Sequence, residues 1–200
     1  FFLTLIFSMP LGLLVCEIRK SRIGIVRWIA RIYISIMRGT PLMLQLLVVF
    51  FGPYYLFGMK VTATYRFYAV IIGFALNYAA YFAEIYRGGI ESIPKGQYEA
   101  AEVLGYSKVQ TFWKIIFPQM VKRVLPPVTN EVITLVKDTS LARIIALQEI
   151  IWAGQAFMKG SQGISGAIWP LFFCAFYYLI WNGVLTVLLG KLEKKLDFFR

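Results

Sequence analysis

The feature that most constrains this chain is a pair of long stretches without a single charge. Pro41 to Phe57 and Ala167 to Gly190 contain no Asp, Glu, Lys or Arg. Three further apolar stretches accompany them: Phe1 to about Ile18, about Phe67 to Tyr86, broken only by Asn77 and Glu84, and about Val124 to Leu147. The last is the most polar, with Glu131, Lys137, Asp138 and Arg143. About 20 apolar residues are needed to cross hydrocarbon as a helix, and only helices or closed barrels satisfy their backbone there. The expectation is an all-α, polytopic transmembrane bundle of about five spans. Residues 1–200 read as one domain, because no internal repeat, linker or low-complexity tract divides them. The start at Phe1, inside an apolar run and without Met, suggests a truncated amino end.

Composition supports a bilayer as solvent: 59% of residues are hydrophobic and only 16% are charged, against about 25% charged in soluble domains. The 21 basic and 10 acidic residues give a net charge of +11. In a soluble protein that would suggest nucleic acid, but no basic stripe interleaved with aromatics occurs, and nucleic acid is not an expected partner. The basic residues instead fall in alternate loops. Arg19, Lys20, Arg22, Arg27, Arg31 and Arg38 follow the first span, Arg87 to Arg123 follows the third, and Lys191, Lys194, Lys195 and Arg200 close the chain; the other loops hold only Lys60, Arg66 and Lys159. Basic loops stay cytoplasmic, so the amino end lies outside and the tail inside.

Catalysis finds little support. There is no His, and the two cysteines, Cys16 and Cys174, lie in apolar runs, so neither a zinc site nor a Cys/His nucleophile is expected. No Gly-x-x-x-x-Gly-Lys-Ser/Thr loop is present, so nucleotide chemistry is not expected in this chain. The expected catalytic, cofactor and metal sets are empty. The lack of a second repeat also argues against secondary carriers built from two related halves.

The most informative segment lies within about residues 91–118. Pro94 suits a first helical turn, Gln97 to Leu104 are good helix formers, and Gly105 fits a stop that needs a left-handed residue. Ser107 with Gln110 forms a capping-box pattern for a second helix, which Pro118 ends or bends. Two short, glycine-joined helices should therefore project into the cytoplasm. The small face at Ala100 and Ala101 beside Glu99 suits insertion into a protein groove better than adsorption to lipid.

Glu99-Ala100-Ala101, Gly105 after three more residues, then Ile115 and Pro118, resemble the EAA loop of binding-protein-dependent ABC importer permeases. Phe117 departs from the Leu usual there. Arg38-Gly39-Thr40-Pro41-Leu42, Asn77 to Glu84 with Arg87-Gly88-Gly89-Ile90, and Lys137-Asp138-Thr139-Ser140-Leu141 further resemble the polar amino acid branch, that of histidine, glutamine, arginine and cystine permeases. The resemblance implies a type I importer fold in a bacterial cytoplasmic membrane. It implies ATPase coupling through Glu99, Ala100, Ala101, Gly105 and Pro118. It also implies partner ATPase subunits holding ATP and Mg, a second permease subunit (identical or related), and an extracytoplasmic solute-binding protein, with membrane lipid around them.

Ionisable groups at membrane depth are costly and point to function. Asn77, Tyr81, Glu84 and Gly88 share one helical face; Asn130, Thr134, Lys137 and Leu141 form another, with Glu131, Thr134 and Asp138 beside it. Turned toward a common wet cavity, Asn77, Tyr81, Glu84, Glu131, Thr134, Lys137, Asp138 and Ser140 would line a solute path. The structural alternative is that Lys137 pairs with Asp138, Glu131 or Glu84, or Glu84 with Arg87. Arg38 is expected to reach the headgroups while Pro41 opens the second span. The rival functions are import of another small solute such as an osmolyte, and an ion-coupled carrier or channel using Glu84, Lys137 and Asp138. The outer Gln148–Gly166 stretch reads as a flexible, Gly-rich loop or, alternatively, as a re-entrant or external gate.

Overall fold

The computed structural model describes residues 1–160 and 169–196. The residues between, and those after 196, include part of the Gln148–Gly166 loop, the start of the last expected span, and Arg200; these lie outside the described residues. All regular structure in the described residues is helical. The helices are α1 (Phe2–Arg19), α2 (Gly24–Gly39), α3 (Leu42–Phe57), α4 (Ala63–Glu91), α5 (Lys95–Val103), α6 (Lys108–Thr111), α7 (Phe117–Asp138), α8 (Ile150–Gly160) and α9 (Trp169–Lys195). A π-helical turn, Phe112–Ile116, joins α6 to α7, and a 3-10 turn, Thr139–Ile145, follows α7.

Helix α4 is the axis: α1, α2, α3 and α7 all pack on it. Its 29 residues reach about 43 Å at 1.5 Å per residue. Close approach of α1 depends on a buried row of small residues, Thr4, Ser8, Gly12 and Cys16, one turn apart. A Cβ at Gly12 would lie 2.7 Å from the Phe82 Cβ and 3.1 Å from the Ala79 carbonyl oxygen. In lipid, where burial between helices gains little hydrophobic energy, such close backbone packing holds helices together. Helices α3 and α4 form an antiparallel hairpin through Gly58, which is left-handed (φ 65), and Thr62, which caps α4 through Tyr65 N at 3.1 Å. Tyr65 Oη donates to the Val49 carbonyl at 2.8 Å, and its ring stacks on Phe50.

Two expectations change. The basic stretch before the second span is a helix, α2, which meets α3 at a bend of 110°. Pro41 sits at that bend in extended conformation as the cap of α3. Among the described residues, helices α1, α4 and α9 are each long and apolar enough to span, and the count reaches four only if the bent pair α2–α3 is taken as one span. Helix α7 misses by composition, carrying Lys122, Arg123, Glu131, Lys137 and Asp138 in its 22 residues. Its span also begins and ends earlier than hydropathy suggests, at Phe117 and Asp138 instead of Val124 and Leu147.

Candidate functional site: a cytoplasmic tip and a membrane corner

The tip is built almost wholly from local signals. Helix α5 starts after Pro94, whose fixed φ of −60 pre-sets the entry. It closes through Tyr106 N to the Ala101 carbonyl at 3.0 Å and Gly105 N to the Glu102 carbonyl at 2.9 Å, with Gly105 at φ 76. This paired closure is the one that favours glycine at the left-handed position. Nothing lies within 4 Å of a Cβ placed there, so backbone conformation alone selects the residue. Ser107 and Gln110 form the expected reciprocal box: Gln110 Oε1 accepts from Ser107 N at 2.9 Å, and Ser107 Oγ accepts from Gln110 N at 3.3 Å.

Beyond that box, of the end or bend expected at Pro118, the end is excluded. Pro118 does not end the second helix. The π-helical turn widens the coil immediately before it, and Pro118 enters the first turn of α7. A wide turn gives the ring room and leaves a carbonyl without its usual donor, which suits a residue lacking N–H. Gln119 Nε2 covers the Ile115 carbonyl at 2.9 Å and reaches Gln97 Oε1 on α5 at 3.1 Å.

The small-residue face also points elsewhere. Ala101 is 1% exposed, and α5 packs on α6 and the π turn. Glu99 and Ala100 are exposed. The outward surface carries bulky apolar groups that sequence reasoning passed over: Val103 is 87% exposed, Leu104 73%, Val109 68% and Trp113 59%. Their signal was present, since Val103-Leu104 precede a stop glycine in a loop that hydropathy places in water.

The membrane corner is built from long-range bonds. Asn77 is buried, and its Nδ2 donates to the Met37 carbonyl at 3.0 Å and to Gln45 Oε1 at 2.9 Å. Gln45 Nε2 in turn donates to the Met37 carbonyl at 3.0 Å and to Thr40 Oγ1 at 2.8 Å. The carbonyls freed where α2 breaks into α3 are thereby satisfied by side chains, as buried backbone requires. One turn along α4, the Arg38 guanidinium lies 5.3 Å from the Tyr81 ring centre. One turn further, Glu84 pairs with Arg19 of α1, with Arg38 at 3.8 Å and with Arg87 at 2.8 Å; Arg87 also pairs with Glu91. Arg38, though 45% exposed, thus lies against Tyr81 and Glu84. The row Asn77, Tyr81, Glu84 that suggested a solute stripe grips the α2–α3 corner.

The α7 residues divide. Asp138 Oδ2 accepts from Tyr78 Oη at 2.7 Å, tying the end of α7 to α4. Glu131 is half-buried, within electrostatic reach of Arg38 and Asp138, and forms no ion pair among the described residues. Thr134 is half-buried and Lys137 exposed, and no carboxylate of the described residues lies within ion-pair distance of Lys137. Ser140 Oγ donates to the Lys137 carbonyl at 2.8 Å. Leu141 falls in the 3-10 turn, which takes it off the row of Asn130, Thr134 and Lys137. No cluster of three or more potential metal ligands occurs among the described residues.

Comparison with known proteins agrees with this architecture. The model of the family described as binding-protein-dependent transport system inner membrane component matches residues 8–198. The L-cystine transport system permease protein TcyB of Bacillus subtilis (strain 168) is 35% identical over 195 residues, covering 98% of this chain and 81% of that protein. The putative glutamine transport system permease protein GlnP of Rickettsia bellii (strain RML369-C) is 35% identical over 202 residues, covering 97% of this chain and 86% of that one. Among solved structures, an amino acid ABC transporter crystallised with histidines matches with a TM-score of 0.85 and 29% identity, over 97% of this chain and 87% of that chain. With its helical membrane bundle and glycine-hinged tip, this chain belongs to the binding-protein-dependent transport system inner membrane component family, as an ABC permease subunit.

Proposed function

We propose that this subunit carries a polar amino acid across a bacterial cytoplasmic membrane and takes its drive from a separate ATPase subunit, which holds ATP and Mg. A second permease subunit completes the path, and an extracytoplasmic binding protein delivers the solute. The observation that carries the reading is the tip: a self-capped helix pair that presents Val103 and Leu104 around a left-handed Gly105. Exposed bulky apolar groups beside Glu99 and Glu102 fit a hydrophobic groove with a basic rim. The names of TcyB and GlnP support the solute class.

In this reading Pro118 and the π turn set the angle at which Glu99, Ala100, Ala101 and Gly105 meet the ATPase. Ala101 acts from inside, by letting α5 lie close to α6. The solute path runs beside α7, where Glu131, Thr134, Lys137 and Ser140 supply acceptors, hydroxyls and one cation. Asn77, Tyr81, Glu84 and Asp138 form its wall, already committed to neighbours. Closure of the ATPase pair moves the tip and rocks the packed helices between two arrangements.

The test is reconstitution of the permease with its ATPase and binding protein. Val103→Asp with Leu104→Asp should lower solute-stimulated ATP hydrolysis at least about tenfold, the loss of about 1.4 kcal/mol of tip contact, while the complex still assembles in the membrane. Unchanged stimulation would remove the tip from the mechanism. Transport by the purified permease alone under a proton gradient would favour an ion-coupled carrier.

A further inference from the structure

Helix α2 has three faces. Stepping about 100° per residue, Ala30 and Ile34 fall on one side and are buried, with Tyr33 beside them donating its hydroxyl to the Leu76 carbonyl at 2.5 Å. A second side carries Ile25, Trp28, Ile29 and Ile36, each between 50% and 72% exposed. Between these lies a cationic edge of Arg27, Arg31 and Arg38. Arg38 is committed to Glu84 and Tyr81. Arg27 and Arg31 are exposed and have no carboxylate within ion-pair distance among the described residues. Arg31 lies within electrostatic reach of Arg19.

The bend of 110° fixes the attitude of this helix. Where α3 stands across the bilayer antiparallel to α4, that bend lays α2 near the membrane plane on the cytoplasmic side, with its Arg38 end level with Glu84. A helix so placed sinks its apolar side about 5–10 Å into the acyl boundary and keeps its cations at headgroup depth. Trp28 is of the type that prefers that boundary.

We infer that Arg27 and Arg31 form a binding surface for the phosphate of an anionic phospholipid whose acyl chains lie along Ile25, Trp28, Ile29 and Ile36. Charge complementarity selects this occupant: two uncompensated guanidiniums offer forked donors to phosphate oxygens, and the adjoining surface is hydrocarbon in character. A protein partner on the same edge would need its own acidic groups and would leave the isoleucines and Trp28 facing it. The bound headgroup would be held two and three turns from the corner residue Arg38, on the same helix.

The permease–ATPase complex is reconstituted in bilayers of phosphatidylcholine mixed equally with phosphatidylglycerol, and headgroup preference is read with spin-labelled lipids of each type. The native complex should prefer phosphatidylglycerol, and each arginine neutralised should weaken that preference roughly fivefold. Arg27→Gln with Arg31→Gln should abolish most of it, whereas Arg27→Lys with Arg31→Lys retains it and Arg143→Gln, on an exposed residue beyond α7, leaves it unchanged. Unfolding midpoints compared across the variants guard against loss of fold. Equal preference in native and Gln variants, displacement of the lipid by inorganic phosphate alone, or loss of preference in Arg143→Gln would each overturn the proposal. Because the readout is lipid association, it stands or falls apart from the transport reading.

Discussion

The cytoplasmic tip and the membrane corner are both places where one helix stops and another starts at an angle, yet they are held in opposite ways. At the tip, the bonds that close α5 and open α6 join residues no more than five apart: Tyr106 to Ala101, Gly105 to Glu102, Ser107 to Gln110; only Gln119 to Gln97 reaches further. At the corner, the bonds cross the molecule, from Asn77 to Met37 and Gln45, and from Glu84 to Arg19 and Arg38. The surroundings explain the difference. In water a helix end can leave carbonyls to solvent, so local caps suffice; at membrane depth an unpaired carbonyl has no water to turn to. A locally capped turn keeps its shape when its neighbours shift. A turn held from a distance changes when the distant helix does.

Three substitutions sharpen or break that contrast. The largest effect should follow Glu84→Ala, which strips the partly buried Arg19 and the more exposed Arg38 of their carboxylate, while Arg87 keeps Glu91. Uncompensated buried charge is costly, and with partial exposure a loss of about 2–3 kcal/mol is expected, read as a lowered unfolding midpoint in detergent. Asn77→Ala removes two hydrogen bonds and strips the Met37 carbonyl of one donor, an expected loss of about 1.5 kcal/mol; faster amide exchange should appear on both sides of the bend. Gly105→Ala forces a Cβ into left-handed backbone, an expected cost of about 1 kcal/mol. Exchange should quicken only across α5 and α6, with the membrane helices unchanged. If Gly105→Ala loosened the corner, or Asn77→Ala loosened only the tip, the division between local and distant control would fail.

Legibility follows the same division. Gly105, the Ser107–Gln110 box and the start after Pro94 could be read from the chain because each depends on neighbours within one or two turns. The spans could be read because hydrocarbon imposes a length. Helix α2 was hidden because arginine recurs at Arg27, Arg31 and Arg38, a spacing that looks like a basic loop until one side is found buried and another apolar. The row Asn77, Tyr81, Glu84 was correctly placed on one face, but periodicity says nothing of what that face meets. Here it meets the break between α2 and α3. Ala101 misled for a related reason: a small residue permits close approach equally from outside and from within the chain.

Only Ser92, Ile93 and Pro94 separate α4 from α5; Ile93 is buried, and the Ser92 carbonyl accepts from Arg123 Nη1 at 2.6 Å. That short splice leaves almost no slack between the exposed tip and the long rod bearing Asn77, Tyr81 and Glu84. Since those three latches sit in line along one flank, a small twist of the rod would release them together, as a camshaft lifts a row of valves. A shove at the cytoplasmic end would thus be felt at the far end of the row in a single stroke.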